Sequence, residues 1–104
     1  MATIYWSDLA KKDYWNNIDY LLEEWTVVEA SNFIERVDEY LNIISKKPKT
    51  FLNTKYKNVH AVPVIPQITL FYRIIDKKNI VNLFDFGIML KTLKIFTFKI
   101  FFKP

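Results

Sequence analysis

Five residues of this chain carry side chains that could handle a phosphate: Lys55, Lys57, His60, Tyr72 and Arg73. Lysine and arginine neutralise phosphate oxygens, and a phenol or imidazole can move a proton. Together such groups could stabilise a 2′-hydroxyl attack on RNA without a metal. That would make the set the centre of a metal-independent endoribonuclease. The plainer reading is that Lys55 and Lys57 solubilise a loop and that His60 is structural or solvated, since the single histidine has no partner motif for metal binding. Asp13, Asp19, Glu23, Glu29, Glu35 and Asp38 occupy positions that read as the solvated faces of helices rather than as acid/base pairs.

Composition removes other chemistries. One glycine in 104 residues leaves no phosphate-cradling glycine loop, and the absence of cysteine leaves no disulfide framework, thiolate nucleophile or cysteine-based zinc site. No cofactor and no metal is expected. The N-terminus lacks the apolar core of a secretory signal and no window is apolar enough for a membrane span, so the expectation is a cytoplasmic chain without membrane association. The length fits a single domain, residues 1–104.

Charge divides unevenly. Residues 1–50 hold six Lys/Arg against nine Asp/Glu, and residues 51–104 hold nine against two. The second half is the basic one. Such a surface either attracts nucleic-acid phosphates or is a solvated face.

The elements that must position the five residues follow from periodicity. Val59 to Phe86 contains three apolar runs separated by Pro63, Pro66 and the polar turn Asp76-Lys77-Lys78-Asn79, the pattern of adjacent antiparallel strands. In the middle run Ile68, Leu70, Tyr72 and Ile74 share one face, and Thr69, Phe71, Arg73 and Ile75 the other. Pro63 and Pro66 place the bend between Ala61 and Gln67 at an irregularity or a sheet edge. Thr3–Trp6 reads as a short first strand. After a cap at Ser7 or Asp8, Leu9, Tyr14 or Trp15, Ile18, Leu21, Leu22 and Trp25 predict the inward face of a helix. Thr26-Val27-Val28-Glu29 is a capping box that starts a second helix, with Ala30, Phe33, Ile34, Val37, Leu41 and Ile44 as its apolar stripe and Pro48 as its stop. Lys49–Lys57 reads as a basic loop. The fold class is therefore α+β: a short N-terminal strand, an antiparallel α-hairpin, and an antiparallel three-stranded meander packed on the helices. Alternation from Leu93 to Phe102 allows an extra C-terminal strand.

Taken together, the strand IYWSDLAKKDY, the helix pair NIDYLLEEWTVVEASNFIERVDEYLNIISKKP, the loop KYKNVHAV and the strand ITLFYRI resemble the RelE/ParE superfamily, the toxins of type II toxin–antitoxin systems, and most of all its ParE-like, plasmid-stabilisation branch. The resemblance covers residues 3 to 86. It implies a sheet packed on an α-hairpin and a cognate antitoxin lying across an apolar groove, with Ile18, Leu22 and Phe33 as core or antitoxin contacts. It also implies growth inhibition, through ribosome-dependent mRNA cleavage or through DNA gyrase. His60 stands where members often have Arg.

Residues 87–104 depart from the family, whose members continue with a segment like FWDNRQNP. The codons permitted from Phe86 to Lys94, read one base earlier, can spell FWDNAQNPK. The expectation is that a one-base deletion near the Phe86 codon produced this Phe/Lys-rich tail and attenuates the toxin. The new tail could also add a strand or pair two copies as a homodimer. The alternative function is a non-catalytic protein-binding module without toxin activity.

Overall fold

The computed structural model describes residues 1–88. Its elements are β1 (Thr3–Trp6), α1 (Asp8–Glu24), α2 (Val27–Lys46), β2 (Leu52–Tyr56), β3 (Val59–Ile65), β4 (Ile68–Ile75) and β5 (Ile80–Ile88). The strands form one sheet in the order β1-β5-β4-β3-β2. β2 to β5 pair antiparallel in succession, and β1 pairs parallel to β5, with Thr3 opposite Ile80 and Trp6 opposite Leu83. The α+β class, the first strand, the α-hairpin and the antiparallel meander are those expected. The expected strand from Leu93 to Phe102 lies outside the described residues, as does the tail beyond Ile88.

The helix caps form as the sequence dictates. The Ser7 hydroxyl accepts from the Ala10 N–H at 3.0 Å, and Thr26 and Glu29 close a reciprocal capping box in which the Glu29 carboxylate accepts from the Thr26 N–H at 3.1 Å and from the Thr26 hydroxyl. That box holds the Glu29 carboxyl below its ordinary range, the Thr26 hydroxyl being the main cause. On α2 the expected residues Ala30, Phe33, Val37 and Ile44 are buried, whereas Ile34 is exposed.

α1 keeps only part of the expected inward face: Leu21 is buried and Tyr14 and Ile18 pack against the core, as expected, and the rest differs. Ala10, Asn17 and Leu21 are buried, while Leu9, Trp15, Leu22 and Trp25 are exposed. One unexpected member of that face is a polar residue with a structural job. Asn17 Nδ2 donates to the Phe86 carbonyl oxygen at 2.9 Å, so a buried amide joins Tyr14, Ile18 and Leu21 on the face that packs against the sheet.

A second difference lies at Lys49–Lys57, expected as a loop, where Leu52–Tyr56 forms the edge strand β2. Its polar, lysine-bearing composition is that of a protected sheet edge. β2 pairs with β3 only as far as Ala61, so Pro63 lies on a stretch of β3 bounded on one side alone, where its missing N–H costs no ladder bond.

β4 keeps the predicted alternation. Ile68, Leu70, Tyr72 and Ile74 enter the large core beneath the helices, while Phe71 joins a smaller cluster with Val59 and Ala61 on the opposite face. In β5 the register slips between Phe71, opposite Asp85, and Tyr72, opposite Leu83. Phe84 is the extra residue of a bulge, and it shifts the inward series from Val81 and Leu83 to Phe86. Phe86 then meets Trp6, Tyr14 and Phe33 with ring centroids 5.5, 5.9 and 6.0 Å away. Truncating such a buried ring costs about 3–5 kcal/mol.

Candidate functional site

The five candidate residues fall into two groups on opposite sides of the sheet. Lys55, Lys57 and Arg73 belong to the β2–β3 tip and the neighbouring end of β4. His60 and Tyr72 are directly opposite one another on β3 and β4 and point into the helix side.

The tip is built by side chains that substitute for a regular ladder. Asn53 and Tyr56 are consecutive β2 partners of β3, opposite His60 and Val59, so Thr54 and Lys55 have no counterpart. The Asn53 side chain accepts from the Lys55 N–H at 2.7 Å, and the Thr54 hydroxyl donates to the Val59 carbonyl oxygen at 2.7 Å. Lys57 and Asn58 then form the two-residue connection with φ of 45° and 64°, the positive values required by the mirror-image turns that match strand twist. Lys55 is also left-handed, at 63°. Lysine has a β-carbon and no short polar side chain to offset it there, so two lysines in this region store strain.

The tip is fastened to β4. Asn58 Nδ2 donates to the Ile74 carbonyl oxygen at 2.8 Å, and Arg73 Nε donates to the Lys57 carbonyl oxygen at 3.1 Å. The Arg73 guanidinium lies 5.4 Å from the centroid of the Phe84 ring, and Lys57 Nζ lies 5.5 Å from that of Tyr56. Both rings pack against Val59, Ala61 and Phe71. The result is a cationic rim over an aromatic and aliphatic floor, suited to holding an anionic or mixed polar surface. Tyr56 and Phe84 were not among the residues expected to contribute. Phe84 carried one signal, since it breaks the inward alternation of Val81, Leu83 and Phe86.

The other group is structural in its surroundings. Tyr72 is fully buried and its hydroxyl donates to the Pro48 carbonyl oxygen at 2.7 Å, tying the end of α2 to the sheet. Burial pushes the phenol up to about 12, against a smaller downward pull from the Phe51 backbone. His60 is 3% exposed, stacks on Tyr72 and has no hydrogen-bond partner at Nδ1. Among the described residues no three His, Cys, Asp or Glu side chains gather as a metal site would require. No described helix is long and apolar enough to cross a membrane.

The α-hairpin presents a separate feature. Leu22, Trp25, Val27 and Val28 are exposed around its turn, at 49, 47, 68 and 64%. Of the three groove residues expected, Leu22 is thus on the surface, Ile18 is partly buried and Phe33 is core.

No protein-family model matches the sequence, and no curated protein matches it. The fold does match a solved structure: a chain of the chromosomal ParDE TA system from P. aeruginosa superposes with a TM-score of 0.68 over 85% of this chain and 96% of that one, at 10% sequence identity. The two chains therefore share a fold.

Proposed function

We propose that this chain is the toxin of a type II toxin–antitoxin system, cytoplasmic and neutralised by a cognate antitoxin, and that it inhibits growth by binding its target rather than by cutting RNA. The shared fold supports the toxin reading. The observation that carries the choice of mechanism is the separation of the candidate groups. Tyr72 and His60, the only proton-transferring side chains of the set, are buried on the helix side, whereas Lys57 and Arg73 lie at the cationic rim. A phenol held protonated and bonded to a backbone carbonyl is no general base at neutral pH. Lys55, Lys57 and Arg73 then serve as target contacts, and DNA gyrase is the target this reading favours over ribosome-bound mRNA. The exposed Leu22, Trp25, Val27 and Val28 suit an antitoxin segment that needs an apolar face. The tail from Gly87 attenuates the toxin in this reading.

The test uses the purified chain, with and without the FWDNAQNPK ending, in a gyrase supercoiling assay and in a translating extract. Loss of supercoiling with intact mRNA is the expected result. Cleaved mRNA would instead establish the endoribonuclease.

A further inference from the structure

We propose that the end of the sheet formed by the α2 C-terminus, the β2–β3 tip and the β4–β5 turn docks the phosphate backbone of a nucleic-acid duplex, independently of its sequence. Charge and geometry carry this role without the toxin reading.

Backbone hydrogen bonds bring three separate segments together there. The Ala2 N–H donates to the Ser45 carbonyl oxygen at 2.7 Å and the Thr3 N–H to that of Asn79 at 3.0 Å, so β1 bridges the last turn of α2 and the β4–β5 turn. A cleft of about 450 Å³ lies between them, lined by Lys47, Pro48, Lys49, Thr50, Asp76 and Asn79. Asn58, bonded to Ile74, places the β2–β3 tip at the same end. Residues 46–58 contain five lysines and no acid, and residues 73–79 contain Arg73, Lys77 and Lys78 against Asp76 alone. All these lysines are exposed. Asp76 is itself met by Lys49 at 3.9 Å.

The acids of residues 1–50 run along both helices from Asp8 to Glu39, and three of them gather at the far end of α2, about 30 Å away for a helix of this length. There the chain turns through Glu23, Glu24 and Glu29. Such a separation orients the molecule toward a polyanion with its lysine end first.

The kind of polyanion follows from what accompanies the lysines. Single strands are held by bases stacked on exposed rings. At this end Phe51 is half-buried, edge-on to Tyr40 at 5.3 Å, and Tyr56 is half-buried beneath Lys57. Among the described residues the exposed rings Tyr5, Trp15 and Trp25 belong to β1, α1 and the helix turn. Lysine point charges on long, rotatable stems suit phosphate spacing and read no base.

The test is fluorescence anisotropy of the full chain with a labelled DNA duplex of about 20 base pairs, the matching RNA duplex and the corresponding single strands, from about 50 to 200 mM salt. Duplex binding is expected, with log K falling linearly in log salt. Replacing Lys47, Lys49, Lys77 and Lys78 together by alanine should lower the slope by about 3 to 4, roughly 0.9 for each phosphate no longer neutralised. The control variant Lys11→Ala/Lys12→Ala, on α1, should keep the original slope. A preference between the DNA and RNA duplexes would name the source, either one supporting the proposal. Absence of duplex binding at the lowest salt, an unchanged slope in the fourfold variant whose circular dichroism matches the parent, or tighter binding of single strands would overturn it.

Discussion

His60 stacks on Tyr72 with ring centroids 5.5 Å apart and 22° between the planes, and both side chains face the helices from neighbouring strands. The pair joins the part of the sequence that looked most chemical to the part that holds the fold together. Tyr72 continues the link through its hydroxyl to the Pro48 carbonyl oxygen, where α2 has ended and the chain heads for β2.

Tyr72 makes stability fall at high pH. Its folded value of about 12 lies above the ordinary 10.0. Below pH 10 both states keep the proton and the stabilisation is complete. Between 10 and 12 the unfolded chain ionises first, and the contribution disappears as pH rises through the folded value, a loss on the order of 2–3 kcal/mol. Urea unfolding from neutral pH to about 12 should show this decline in the parent and a shallower one in Tyr72→Phe. At neutral pH the variant should be less stable by about 1 kcal/mol for the missing hydrogen bond. Equal pH profiles would mean that burial of the phenol has no such effect.

His60→Phe should leave function intact and improve folding. The substitution keeps a ring against Tyr72 and removes Nδ1, a buried polar atom without a partner, whose desolvation costs about 1–3 kcal/mol. The melting temperature should rise by several degrees, with target inhibition unchanged. A folded His60→Phe protein that no longer inhibits its target would place the imidazole in the working site.

How far the sequence revealed this arrangement depends on the element. The faces of β4 were legible because Ile68, Leu70, Tyr72 and Ile74 alternate strictly, which already separated Tyr72 from Arg73. That His60 joins Tyr72 required the pairing of β3 with β4, which no local pattern carries. The capping box at Thr26 and Glu29 was legible as a local motif. The inward face of α1 was legible at Tyr14, Ile18 and Leu21 but not at Asn17, which owes its buried position to a carbonyl 69 residues away in sequence. β2 was hidden by its own edge chemistry, with Asn53, Thr54 and Lys55 making a turn-like irregularity inside a strand.

Lys57→Gly should separate strain from function at the β2–β3 tip. Lys57 holds a φ of 45°, which glycine adopts freely. Relief of the left-handed strain, reduced by the greater freedom of glycine in the unfolded chain, should raise stability by about 0.5–1 kcal/mol. If Lys57 touches the target, inhibition should weaken in the same variant, and Lys57→Asn should behave alike because asparagine also tolerates this region. Stability gained with inhibition unaltered would make the lysine a mere turn residue.

The C-terminal tail offers the most direct test of the toxin reading. Phe86 is anchored by Trp6, Tyr14 and Phe33, and both reading frames keep this phenylalanine, so the core does not depend on which tail follows. The frames diverge at Gly87, where the shifted one begins with tryptophan. Growth should therefore be followed after induction of this chain beside a version with one base restored near the Phe86 codon, ending in FWDNAQNPK. Arrest by the restored version alone is the expected outcome, and the gene read one base earlier should spell that ending. Arrest by both would locate the whole activity in residues 1–86 and make the tail dispensable. Arrest by neither, with both chains folded, would remove the toxin reading and leave a protein-binding module as the better account of the exposed Leu22 and Trp25.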